Sequence, residues 1–276
     1  MFPRRRVPVV VGLLLVAVAS AAWAQQQRFR VMEGPGMPLH MPPPHFSDGA
    51  FTICKMMYTS NRREANGFGW STDYPFAGLN LMIRSSELTK TRISKDARGD
   101  ANYWTVHLTD DALFECPFLV GSDVGTIGLS PLEVTRLREY LLKGGFLWVD
   151  DFWGTRAWEQ WAEAMRQVLP EYPIFDIPAD HPIRETLFEV THVPQVPGIN
   201  FWRASGGGTS ERGTDSPEVD FRAIADSHGR VMVVMTHNSD IGDSMERESE
   251  DPAFFAAFSP QGYQVTIDMV LYALTH

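Results

Sequence analysis

Acidic residues collect where the chain leaves its apolar runs. Asp150 and Asp151 follow the run 146–149 and precede Phe152-Trp153-Gly154, Asp123 closes Gly121-Ser122-Asp123, and His237, Asn238, Asp240, Asp243 and Glu246 follow a third run. Adjacent carboxylates repel when both are ionised, so Asp150 and Asp151 call for a raised pKa on one of them or for a neutralising cation. Two kinds of chemistry fit. The acids can hold a divalent cation, with Asp150, Asp151, Asp240 and Asp243 as ligand candidates. Alternatively Asp150 or Asp151 acts as general base with His181 or His237 as acid, provided their surroundings separate their pKa values. A plainer role competes with both: Asp151 or Thr155 can cap the next helix, Asp240 a turn, and Asp180-His181-Pro182 a turn ahead of a short helix.

Familiar catalytic signatures are missing. The chain has no Gly-x-Ser-x-Gly elbow, phosphate loop or dinucleotide fingerprint, and Gly206-Gly207-Gly208 does not stand between a strand and a helix. Asp240-Ile241-Gly242-Asp243 lacks the alternating ligands and terminal Glu of an EF-hand loop. No cofactor is evident, and a divalent cation is the one expected addition. Cys54 and Cys116 are the only cysteines, with no histidines at zinc-ligand spacing. Because Cys54 lies inside an apolar run, two buried thiols are expected rather than a bridge.

The elements that must position these residues alternate. Runs 50–58, 103–108, 117–120 and 145–149 read as strands. Between the last two, Ser130-Pro131-Leu132-Glu133 is a capping box, Val134, Leu137 and Leu141 form an apolar face, and Gly144 ends the helix, making a βαβ unit with parallel strands. A second amphipathic helix spans 155–169, followed by a strand at 172–177, a hairpin of 221–226 and 230–236 across Ser227-His228-Gly229, and a closing helix at 260–274 capped by Ser259. The stretch 193–219 reads as a long irregular loop, mobile or a lid. The class is α/β, and in such sheets ligands bind beyond the carboxyl ends of the strands, which is where the acids fall.

Composition sets the outer bounds. With 276 residues, 44% of them hydrophobic and 21% charged, the chain can bury a full core. Its net charge of -10, with no basic patch beyond the first six residues, excludes a nucleic-acid partner. Three arginines at 4–6, the apolar stretch 7–19 and Ala22-Trp23-Ala24 read as a signal peptide over 1–24, because the stretch is shorter than the ~20 residues of a membrane span. A proline-rich linker over 25–46 and a folded domain over 47–276 follow. With no further spanning stretch, the mature chain is expected to be soluble, without a membrane span, and periplasmic or secreted.

One further signal lies in the order of short motifs. Trp70-Ser71-Thr72-Asp73-Tyr74-Pro75, then Asn80-Leu81, Arg84 and Glu87-Leu88-Thr89, then Tyr140-Leu141, Gly144-Gly145-Phe146 and Asp150-Asp151, then Asp180-His181-Pro182, and finally His237-Asn238-Ser239-Asp240-Ile241-Gly242-Asp243, resemble the bacterial family labelled domain of unknown function 4159. The resemblance implies a single three-layer flavodoxin-like domain, akin to class I glutamine amidotransferase and trehalose-utilisation-type domains, with a mostly parallel sheet and a C-terminal β-hairpin. In glutamine amidotransferases a catalytic Cys follows the strand that corresponds to 146–149. Asp150-Asp151 stands there here, so that chemistry is not carried over. Gly78 stands where many relatives have an acid, which leaves Asp73 without that partner.

The reading that follows is an exported binding module for a small polar ligand, a cation or a saccharide. Asp73, Asp150, Asp151, Asp240 and Asp243 would accept, Asn80, Arg84, His237 and Asn238 would add polar contacts, and Tyr74, Phe152 and Trp153 would form walls. A carboxylate- or metal-dependent hydrolase and a scaffold for an envelope protein are the alternatives.

Overall fold

In the computed structural model, residues 39–65 and 67–276 are described. The expected signal peptide at 1–24 and the 25–38 part of the expected linker lie outside them. Seven strands form one sheet: β1 (Ile53–Met57), β2 (Tyr103–His107), β3 (Phe118–Ser122), β4 (Leu147–Asp150), β5 (Ile174–Asp176), β6 (Asp220–Ala225) and β7 (Val231–His237). Their order is β2-β1-β3-β4-β7-β6-β5. Neighbours from β2 to β7 pair in parallel, while β6 runs antiparallel to both β7 and β5.

β1, β3, β4 and β7 are buried at every position, which is why their sequences are mostly apolar rather than alternating, with Lys55 inside β1 and polar residues at the ends of the other three as the exceptions. Six helices stand among the described residues: α1 (Phe76–Leu88), α2 (Pro131–Leu142), α3 (Gly154–Val168), α4 (Ile199–Ser205), α5 (Ile241–Glu246) and α6 (Pro252–Thr275). α1, α5 and α6 pack on one another, and α2 packs on α3. No helix among the described residues is long and apolar enough to cross a membrane.

The βαβ unit forms as its signals dictate. Ser130 Oγ accepts from the Glu133 amide while Glu133 Oε2 accepts from the Ser130 amide, with Pro131 opening α2. The hairpin turns at 227–229, where the Gly229 amide donates to Asp226 O. At the described end of the linker, the Thr105 amide donates to His40 O and the His40 ring lies 4.2 Å from Trp104, so this segment runs along β2.

Three expectations are corrected. Cys54 and Cys116 are joined by a disulfide, not left as thiols. Register explains it: Ile53 lies opposite Phe118, which carries Cys116 to within 5.9 Å of Cys54, Cα to Cα. The closing helix starts at Pro252 rather than 260, because Asp251 Oδ1 accepts from the amides of Ala253 and Phe254. Pro260 is thus inside it, and Ser259 Oγ donates to Ser244 O instead of capping. Finally, 193–219 is not irregular throughout. It holds α4 and a short 3-10 turn at Gly213–Asp215, and is pinned to the turn between β7 and α5, where the Asp240 amide donates to Val196 O.

Candidate functional site

Three neighbouring strands end in the same way. Asp123 after β3, Asp151 after β4 and Asn238 at the end of β7 adopt left-handed backbone, with φ of 52°, 52° and 62°. Among residues with a Cβ, Asp and Asn tolerate this conformation best. The turns are laced together: the Asp123 amide donates to Asp150 O, the Asp151 amide to Ser239 O, and the Asn238 amide to Phe152 O. The strand ends therefore form a fixed rim. A fourth left-handed residue, Asp73 (φ 62°), sits between β1 and α1, just ahead of the cis Tyr74-Pro75 peptide.

The rim bounds a cavity of about 400 Å³. Asp73, Asp240 and Asp243 each turn one oxygen into a group whose members lie within 4.8 Å of one another, a set able to hold a metal ion. All three are only 5–6% exposed. Each is held by a separate device. Asp73 Oδ2 accepts from Ser122 Oγ at 2.9 Å. Asp240 caps α5, its Oδ1 accepting from the Asp243 amide at 2.9 Å. Asp243 Oδ2 accepts from the Ile199 amide at 2.5 Å, and its Oδ1 faces Arg247 Nε at 3.2 Å.

Glycine is required at the closest approach. A Cβ on Gly242 would stand 2.5 Å from Asp73 Oδ2, so any side chain there would displace that carboxylate. Asp123, Asp151, Glu211 and Glu246 add acid to the lining, against Arg212 and Arg247. Phe68, Tyr74, Trp153 and Phe201 supply apolar wall, and Phe68, 58% exposed, stands at the mouth.

So many buried carboxylates cannot all keep their ordinary pKa. Burial pushes Asp123 up to about 7, Asp150 and Glu246 up to about 8, and Asp243 up to about 6. Asp151 and Asp240 are raised well above the carboxylate range, first by burial and then by the charge of Asp73. Asp73 is raised by burial against the opposing pull of Lys55, whose own pKa burial lowers while Asp73 and Asp150 restore it in part. A cation held between Asp73, Asp240 and Asp243 would oppose the upward shift of these three.

Of the residues singled out by sequence, Asp73, Tyr74, Asp123, Asp151, Trp153, Asp240, Asp243 and Glu246 line this one cavity. The others are placed elsewhere. Asp150 lies beneath the cavity, 1% exposed, its oxygens accepting from Thr236 Oγ1 at 2.5 Å and the Gly242 amide at 2.7 Å. His237 is engaged on both ring nitrogens, by Asp220 at 2.7 Å and Gly154 O at 3.1 Å. Asn238 accepts from the Gly154 amide and donates to Glu218 O. Asn80 donates to Met245 O and Arg84 pairs with Glu87 and Glu248, so both tie α1 to α5 and the turn after it. His181 accepts from the Ile183 amide and so caps the turn Pro182–Arg184, while Phe152 is fully buried against Trp161. Of the four candidate metal ligands, Asp240 and Asp243 fall in the group able to hold an ion, together with Asp73, and Asp150 and Asp151 do not.

Lys55 was missed although its signal was visible. It is the one charged residue in the run 50–58, and a lysine inside a fully buried strand requires carboxylates nearby. Glu211 and Arg212 gave no signal, because they reach the crevice from the middle of 193–219.

The family model described as "Domain of unknown function (DUF4159)" matches residues 57–274. The chain belongs to this family. No curated protein matches it. The DUF4159 span takes in every carboxylate of the crevice and stops two residues short of Lys55.

Proposed function

We propose that the crevice binds a hard divalent cation, calcium in the first instance, through Asp73, Asp240 and Asp243, and that the bound cation helps to hold a small polar ligand such as a saccharide without turning it over. One observation carries this reading: three buried carboxylate oxygens lie within 4.8 Å of one another. Calcium takes oxygen at 2.3–2.6 Å in flexible, often irregular geometry, which suits three carboxylates brought together from different elements, whereas magnesium demands near-ideal octahedral geometry at 2.0–2.1 Å. Burying several carboxylates costs several kcal/mol each unless they are paired. Arg247 pairs with Asp243 and Lys55 acts on Asp73, but Asp240 has neither, and a divalent cation would supply the missing charge. Calcium takes 6–8 ligands, so three from the protein leave positions for water or for ligand hydroxyls.

The wider frame agrees. The parallel strands run 2-1-3-4-7, which supports flavodoxin-like winding of the kind seen in class I glutamine amidotransferase-like domains, with its crevice where the order reverses between β1 and β3. Export to the periplasm or medium is supported by the signal-like 1–24 segment and by a disulfide, a bond that persists in oxidising compartments.

A hydrolase is the second reading, favoured by Asp151. This residue lines the same cavity from a strand-end elbow, and Trp153 Nε1 donates to its Oδ1 at 3.0 Å, an arrangement suited to a base acting on a cation-bound water. Thermal-shift measurement on chelator-stripped protein tests the proposal. Calcium at about 100 times its Kd should add about 2.7 kcal/mol of stability, and a saccharide should add more only when calcium is present. No shift with any divalent cation at millimolar concentration would refute the cation site, and turnover abolished by Asp151→Asn would favour the hydrolase.

A further inference from the structure

β1 is buried at every position and yet carries a lysine at its centre. Lys55 is 1% exposed, and its ammonium donates to Thr72 O at 2.8 Å and to Ser122 Oγ at 2.6 Å. Ser122, at the end of β3 and 2% exposed, donates in turn to Asp73 Oδ2 at 2.9 Å. Direction in this chain is forced. An ammonium has no acceptor, so the single hydroxyl proton of Ser122 must point to Asp73. Lys55 thereby grips the residue before Asp73 by its carbonyl and the Asp73 side chain through Ser122. The Asp73 carboxylate also lies close to the Gly242 backbone, where a Cβ would come within 2.5 Å of its Oδ2.

We infer that Ser122 and Lys55 are positioning residues that hold Asp73 as a cation ligand, an inference that rests on the cation reading above. Neither touches the cation. Lys55 acts through Ser122 rather than as a bare charge, since a positive charge alone would only repel a cation. Hydrogen-bond partners of metal ligands commonly govern affinity by about 10–100-fold.

The test is a double-mutant cycle on calcium affinity, run on the folded chain with circular dichroism as the check on folding. Ser122→Ala changes no charge and should weaken calcium binding by about tenfold or more, while Ser122→Thr, which keeps the hydroxyl, should restore it. In a Lys55→Met background the Ser122→Ala penalty should shrink to less than about twofold, because the two residues act as one unit. Terbium bound in place of calcium should show one more coordinated water in Ser122→Ala by its luminescence lifetimes, a change that general destabilisation would not produce. Unchanged affinity in Ser122→Ala, or an equal penalty with and without Lys55, would overturn the inference while leaving the cation site standing. Absence of calcium binding in the unmodified protein would overturn the cation reading itself, and this inference with it. If Lys55→Met does not fold, the alanine and threonine variants at 122 decide the matter alone.

Discussion

Asp150 Oδ2 accepts the Gly242 amide at 2.7 Å, and through that bond the end of β4 holds the start of α5, which carries both Asp240 and Asp243. The other oxygen closes a buried chain in which Trp148 Nε1 donates to Thr236 Oγ1 and Thr236 donates to Asp150. Asp150 is thus part of the frame and Asp240 part of the site, although sequence reading grouped them. The two should respond differently to substitution. Asp150→Ala strands the buried Gly242 amide and leaves the Thr236 hydroxyl only the carbonyl of Val149, and should cost about 1–3 kcal/mol in denaturant unfolding. Asp150→Asn keeps one acceptor for Gly242 and should cost less. Equal losses in both variants would contradict the acceptor role given to Asp150.

Stability should fall as pH rises through the raised carboxyl pKa values. In the folded, cation-free protein Asp123 and Asp150 hold their protons to about 7 and about 8, above the ordinary 3.8 they regain on unfolding. The folded state therefore binds more protons across that interval, and stability falls as pH rises through it. The melting temperature without calcium should drop from pH 5 to pH 8.5, and saturating calcium should flatten the drop by taking over from the protons. A melting temperature that climbs across this range in chelator would contradict the burial of these groups.

Gly242→Ala offers a steric test. Its Cβ would fall 2.5 Å from Asp73 Oδ2 and 2.8 Å from Cγ, and that same Oδ2 is held by Ser122. Forcing it in should cost about 1–3 kcal/mol and displace Asp73, lowering calcium affinity by about tenfold or more. Wild-type affinity in this variant would mean that Asp73 is not a ligand.

Much of the architecture was legible because it depends on local signals. The capping box at 130–133, the stop at Gly144 and the apolar run after it are contiguous, and they place Asp150 at a strand end unaided. Asp240 and Asp243 were legible for the same reason. What could not be read depends on pairing across the sheet. The Cys54–Cys116 bond follows from the β1–β3 register, and Lys55 finds Ser122 only because those strands are neighbours. α1 was also invisible: Phe-Ala-Gly-Leu-Asn-Leu-Met-Ile-Arg-Ser-Ser-Glu-Leu mixes weak helix formers with strong ones and opens without a side-chain cap. Pro260 misled in the opposite direction, since a proline read as a helix start lies inside a helix begun by Asp251.

The most direct measurement is isothermal titration of calcium into chelator-stripped protein, wild type beside Asp240→Asn. Asparagine can still cap α5, so the variant should fold and, freed of one crowded carboxylate, be at least as stable without calcium. One calcium per chain binding to the wild type, with affinity lost or reduced by about 100-fold or more in Asp240→Asn, is the predicted result. No binding to the wild type, or equal binding to both, would contradict a cation held by Asp73, Asp240 and Asp243.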